Sequence, residues 1–129
     1  RAFMKMYIAS RFAKREEVKR IYELLKDKGY EIITDWTNHK YIKPYEQNKK
    51  LACQYAIEDI NGAKNCDIFI LITDKAGTGM YVELGAALAL NLATGKPKIF
   101  LLGNHMSTVF HFHPAINQRE SIEQILKEI

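Results

Sequence analysis

The apolar run CDIFILIT (residues 66–73) is followed by the loop-like DKAGTG (residues 74–79) and then by MYVELGAALALNLAT (residues 80–94). A nearly continuous run of this length, rich in β-branched residues, reads as a strand buried on both faces, the kind that parallel sheets contain. The glycine-containing hexapeptide after it predicts a loop. Residues 80–94, rich in Ala and Leu, predict a helix closed by Gly95. Strand, loop and helix in that order make half of a βαβ unit, and the rest of the chain can be read outward from it.

Upstream, residues 4–9 (MKMYIA) predict the first strand. Residues 13–28 predict a helix. Val18, Ile21, Tyr22, Leu24 and Leu25 share its inner face, and Glu16, Glu17, Lys19, Arg20, Glu23 and Lys26 cover the other. Gly29 stands where a left-handed C-cap belongs. Residues 30–35 (YEIITD) predict a second strand, and residues 36–45 a polar, aromatic loop ending near Pro44. Residues 46–64 predict a long helix with Leu51, Tyr55, Ile57, Ile60 and Ala63 turned inward. Downstream, residues 98–102 (KIFLL) predict a fourth strand and residues 108–112 a short fifth. Residues 121–129 predict a closing helix with Ser121 as N-cap and Gln124 in the matching third position.

This alternation, without repeats or linkers, predicts one α/β domain over residues 1–129. The expected architecture is a flavodoxin-like or Rossmann-like three-layer sandwich on a mostly parallel sheet of four to five strands. Ligands of such sheets bind at the carboxyl ends of the strands. Here those ends are Ser10-Arg11-Phe12, Asp35-Trp36, residues 74–79 and residues 103–108.

Composition narrows the function. The chain is 47% hydrophobic and 26% charged, with net charge +4. The basic residues (Lys14, Arg15, Lys19, Arg20, Lys49, Lys50) are scattered and form no block. That argues against a nucleic-acid polymer as partner and suits an anionic small molecule. No apolar run reaches membrane-span length and no secretory signal pattern opens the chain, so neither a membrane nor export is expected. Cys53 and Cys66 lack metal-ligand company, so reduced thiols in a cytoplasm are expected. Two histidines on one strand face, His111 and His113, are too few for a metal site and read as structural.

Glu83 breaks the apolar pattern of residues 80–94. A first-turn Glu that complements the helix dipole would account for it. So would a carboxylate at the mouth of a site, with Gly77-Thr78-Gly79 letting backbone approach a ligand and the helix N-terminus keeping the acid ionised for attack. The small residues Gly85, Ala86, Ala87 and Ala89 fit close packing on the sheet, or a helix–helix dimer contact. Asp59 lies in AIEDI on the preceding helix. By spacing it is a solvated helical Asp, or, should it face the same cleft, a second carboxylate. Two carboxylates in one cleft suit attack at a sugar anomeric carbon, one as nucleophile and one as proton donor to the leaving group.

The same residues resemble the nucleoside 2-deoxyribosyltransferase family, including its relatives that hydrolyse nucleoside 5′-monophosphates. MYIAS (residues 6–10) is similar to the family's opening strand, Asp59 to its acid ahead of the next strand, and YVELGAA (residues 81–87) to its YELGxA motif. FHFHPAIN (residues 110–117), with the helix after it, resembles the family's C-terminal end. The resemblance implies that Glu83 attacks C1′, that Asp59 manages the proton on the base or positions the sugar, and that Tyr7 orients Glu83. It implies Phe12 and Trp36 as stacking partners for the base. Ser10, Arg11, Thr78, Ser107 and the backbone amides of Gly77-Thr78-Gly79 are the candidates to hold a phosphate, and Asp74 is a further substrate-binding candidate. It implies no cofactor and no metal. It also implies a homodimer or larger assembly in which a neighbouring copy completes the site, with Asn104, His105 and Ser107 as candidates.

The sequence departs from the family pattern in two places. Ala76 stands where transferases often carry an Asp before Gly-Thr, leaving Asp74 as the nearest acid. The loop between Gly-Thr and the Glu is about two residues longer, so the phosphate-binding Ser of the hydrolases corresponds to Gly77 or Thr78. Two rivals remain. One is a cytokinin-type phosphoribohydrolase, whose PGGxGTxxE loop AGTGMYVE matches only in Gly-Thr and a later Glu. The other is a nucleotide-sensing module without turnover, which the fold permits.

Overall fold

The computed structural model describes residues 4–129, so residues 1–3 of the expected unit lie outside the described residues. Five strands form one sheet in the order β2-β1-β3-β4-β5, all pairs parallel. They are β1 (Lys5–Ala9), β2 (Glu31–Ile32), β3 (Ile68–Ile72), β4 (Lys98–Leu102) and β5 (Ile116–Arg119). The helices are α1 (Arg15–Asp27), α2 (Lys49–Asn65), α3 (Gly79–Thr94) and α4 (Ile122–Leu126). This is the expected flavodoxin-like α/β sandwich. Right-handed crossovers place α2 and α3 side by side on one face, with α1 and α4 on the other.

β3 is buried at every position, as a central parallel strand must be. It pairs with β1 from Met6↔Ile68 to Ala9↔Leu71 and with β4 from Ile68↔Lys98 to Ile72↔Leu102. The chain steps from β1 outward to β2, then returns to β3 on the other side of β1. The strand order therefore reverses between β1 and β3, which is where such sheets bind ligands.

Sequence pattern and structure differ where local hydrogen bonding wins. The expected strand at residues 108–112 is a 3-10 turn, Val109–Phe112. Its FHFH alternation looks like a strand. Instead, the Thr108 amide donates to His111 Nδ1 at 3.1 Å and the His111 amide to the Thr108 carbonyl at 3.2 Å, which closes a turn. The fifth strand forms at the polar INQR stretch, where an edge position tolerates half-buried polar side chains and Asn117 donates to the Ile99 carbonyl at 3.0 Å. β2 is only two residues long. In α2 the expected inward set holds at Ala63, which is buried, and in part at Leu51, Tyr55 and Ile60, which are half-buried, but fails at Ile57. Ile57 is 58% exposed, and Gly62 and Ala63 are the buried positions. Ser121 caps α4 by accepting from the Gln124 amide at 3.2 Å, as expected.

Candidate active site

β1 delivers the first functional side chain. Tyr7 is fully buried, its ring stacks on Phe69 of β3 with centroids 5.9 Å apart, and its hydroxyl donates to Glu83 Oε1 at 2.7 Å. Burial, helped by the charges of Glu83 and Asp59, raises the phenol far above its ordinary range. Tyr7 therefore remains a hydrogen-bond donor at neutral pH.

Glu83 is the fifth residue of α3, past the first turn, so it is not a dipole-capping acid. Burial pushes its carboxyl up to about 7; the Tyr7 hydrogen bond pulls the other way and Asp59 adds to the rise. The expectation that the helix end holds Glu83 ionised is thus corrected. Loss of hydration outweighs a terminus one turn away.

Asp59 projects from α2 into the same cavity. Its carboxyl is also raised, by burial first, with His39 pulling it down and Glu58 up. Its Oδ1 is buried and finds no hydrogen-bond partner among the described residues. A buried polar oxygen without a protein partner is costly and suits a site that receives a donor from a ligand.

The cavity is about 880 Å³ and opens at the carboxyl ends of β1 and β3. Its walls include Ser10, Arg11, Phe12, Trp36, Gly77, Thr78 and Gly79, together with Asp59 and Glu83. The indole of Trp36 is largely spoken for: it is buried and its Nε1 donates to the Ile8 carbonyl, leaving it tilted beside Phe12 at 6.3 Å. Three expected residues lie off the walls. Tyr7 is fully buried and reaches the cavity only through its bond to Glu83. Asp74 is turned away, paired with Lys14 at 3.3 Å and Arg11 at 3.5 Å and accepting from the Ala76 amide at 3.1 Å. Ser107 is exposed and lines no described cavity, while Asn104 and His105 line a separate hollow of about 590 Å³ beside α1 and α4.

The segment between β2 and α2 contributes more than its polar sequence announced. His39, Lys40, Tyr41, Ile42, Lys43 and Tyr45 all line the cavity, as do Arg15 and Tyr55. His39 stacks flat on Tyr55 at 3.7 Å and contacts Glu58 Oε1 through Nε2 at 3.0 Å, fastening the segment to α2. Lys43 sits 5.7 Å over the Tyr45 ring, and the Arg15 guanidinium 4.7 Å over Phe12. The readable signal was the interleaving of basic and aromatic residues in HKYIKPY (residues 39–45), a composition that grips anionic, aromatic ligands. Four basic side chains, Arg11, Arg15, Lys40 and Lys43, therefore share a cavity with two carboxylates that are hard to ionise.

This arrangement can stabilise a ligand carrying negative charge and place two carboxyl groups beside it. A CMP N-glycosidase from Clostridium botulinum, BcmB, has a similar structure at TM-score 0.56 and 23% identity, with 96% of each chain covered. That likeness speaks for the fold. No curated protein sequence matches the chain significantly. The profile of the family described as nucleoside 2-deoxyribosyltransferase matches residues 6–119. With that match running from β1 through β5, the chain belongs to the nucleoside 2-deoxyribosyltransferase family.

Proposed function

We propose that this protein cleaves the N-glycosidic bond of a nucleoside 5′-monophosphate through a covalent glycosyl–Glu83 intermediate. The observation that supports it is Asp59 and the Tyr7-bonded Glu83 lining one cavity with four basic side chains. Glu83, ionised, attacks C1′ as the C1′–N bond breaks. The bonding electrons go to the base, which takes a proton from Asp59, a carboxyl whose proton affinity burial raises above the ordinary range. Water or a second base then attacks C1′, gives its proton to the Asp59 carboxylate and frees Glu83. Two displacements retain configuration at C1′. Tyr7 orients the nucleophile; Phe12 and the edge of Trp36 face the base. Arg11, Ser10, Thr78 and the amides of residues 77–79 meet the phosphate.

The reading extends to assembly and setting. Val109, Phe110 and Phe112 are exposed on the turn that abuts the start of α3 through Tyr81 and His111, and Val82 is exposed beside them. We place a second copy of the chain on this apolar face, giving a homodimer. No described helix is long and apolar enough to cross a membrane, and we place the enzyme in the cytoplasm. The similar CMP N-glycosidase structure supports a nucleotide as substrate.

The test is a panel of ribo- and deoxyribonucleosides and their 5′-monophosphates, each with and without a second free base, followed by chromatography. Free base released from monophosphates, with a sugar-phosphate mass adduct on the protein, is the expected result. Base exchange confined to nucleosides would replace the hydrolase with a transferase. Binding without turnover would replace both with a sensing module.

A further inference from the structure

Gly62 matters through the side chain it lacks. At Gly62, α2 comes so close to β1 that a Cβ built there would lie 2.6 Å from both Cδ1 and Cε1 of Tyr7, and 2.9 Å from Thr34 Cβ. Real Cβ atoms do not approach that closely, so only glycine leaves the Tyr7 ring where it stands. Glycine inside a helix is less favourable than alanine, and at this point in α2 close approach is what requires it.

Thr34, on the opposite side of Gly62, is itself unusual. It has φ 55°, the left-handed region, which a β-branched residue rarely enters. Its Oγ1 donates to the Glu58 carbonyl of α2 at 3.2 Å. Strain of this kind persists where the surroundings over-determine it, and it gathers at functional sites. Asp59 lies three residues before Gly62, hence on the same helical face. One contact point thus holds both the ring whose hydroxyl bonds Glu83 and the turn of α2 that presents Asp59.

We propose that Gly62 and Thr34 form a docking point that sets Tyr7 against Glu83 and brings Asp59 over the same cavity, which makes both of them positioning residues for the glycosyl chemistry. The link to chemistry rests on the function proposed above; the docking itself does not.

The test is Gly62→Ala in the wild-type chain and in the Tyr7→Phe chain. In the wild type the new methyl displaces the ring and breaks the hydroxyl bond to Glu83. Since that bond lowers the Glu83 pKa, the Glu83 carboxyl, followed by carbon NMR titration, is expected to titrate at higher pH. Base release should lose about 10- to 100-fold in kcat, with KM within about threefold. In Tyr7→Phe the ring and the clash remain but the hydroxyl is gone. There Gly62→Ala should lower Tm as before, yet change kcat and the Glu83 titration less than in the wild type, because only the displacement of Asp59 is left to act. An unchanged Glu83 titration in Gly62→Ala, or the same kcat loss in both backgrounds, overturns the proposal.

If Gly62→Ala does not fold, Thr34→Gly serves instead. It relieves the left-handed strain and removes the tie to Glu58, so the protein should keep or gain stability while kcat falls about tenfold. An unchanged kcat overturns the proposal. Should the wild type turn over no nucleotide at all, the functional reading fails, and the Glu83 titrations still decide the docking point.

Discussion

Asp74 and Glu83 flank the same glycine-containing loop and are treated in opposite ways. Asp74 is paired with Lys14 at 3.3 Å and Arg11 at 3.5 Å and accepts the Ala76 amide at 3.1 Å. Burial works against its ionisation, but the amide, Lys14 and Arg11 together hold the carboxyl below its ordinary range. Among the described residues, Glu83 receives one phenol hydrogen bond and forms no ion pair, and its carboxyl is pushed up to about 7. An acid that anchors a loop is matched by cations. An acid that we propose attacks carbon is left without a cation, and the fold tolerates the cost. Asp59, half-buried and with its Oδ1 short of a partner, falls on the Glu83 side of this division.

Glu83→Gln should break the comparison most visibly. Turnover is expected to fall by at least about 10³-fold, because the amide cannot form the ester to C1′. Stability should move the other way. The folded-state pKa of Glu83 lies above its unfolded value, so the folded protein binds the proton more tightly. The acid then costs nothing below about pH 4.5, and its full penalty appears above about pH 7. A rise from 4.5 to about 7 is worth about 3 kcal/mol. Calorimetry at pH 8 should therefore show Glu83→Gln melting about 5–10 °C above the wild type, with the gap closing by pH 4. A variant that is less stable at both pH values would make Glu83 a structural acid like Asp74.

Asp59→Asn sharpens the same contrast at smaller amplitude. Losing the proton donor should cost about 100-fold in kcat/KM. It also removes a negative charge that makes Glu83 harder to ionise. The acid limb of the kcat/KM profile should therefore move to lower pH in the variant. If the rate stays near wild type and the limb does not move, Asp59 is a bystander and another group protonates the leaving base.

How far the sequence reveals this site follows from what places each residue. Glu83 was legible because a charge in the apolar face of residues 80–94 has few structural excuses, and because β3 before it reads as a strand from composition alone. Tyr7 was legible as part of β1. Asp59 was not separable by spacing from an ordinary surface acid, since its place in the cavity depends on how α2 packs against β1, a tertiary contact with no periodic signature. The apolar pattern of α2 even misleads: Ile57 faces solvent and glycine faces the core. The cavity wall at residues 39–45 was hidden for a related reason. It has no regular structure beyond short turns, and ring stacking of His39 on Tyr55 holds it in place. At the C-terminal end, a side-chain-capped turn imitated a strand and a polar edge strand imitated a loop.

The smallest effect is expected at Asp74. Asp74→Asn keeps an oxygen for the Ala76 amide and loses the charge that pairs Arg11 and Lys14, whose side chains are 38% and 31% exposed. Partly exposed pairs of this kind contribute little to stability, so Tm should shift by no more than about 2 °C. The consequence should fall on binding. Arg11 lines the cavity, and without Asp74 it is held less firmly at the ligand. KM should rise by about fivefold with kcat within about twofold, the mark of binding shared equally by ground and transition states. A collapse of kcat on the scale of Glu83→Gln would mean that Asp74 swings from its cations onto the base during turnover. The two acids beside the loop would then be partners in one reaction, and the contrast between anchor and nucleophile would fail.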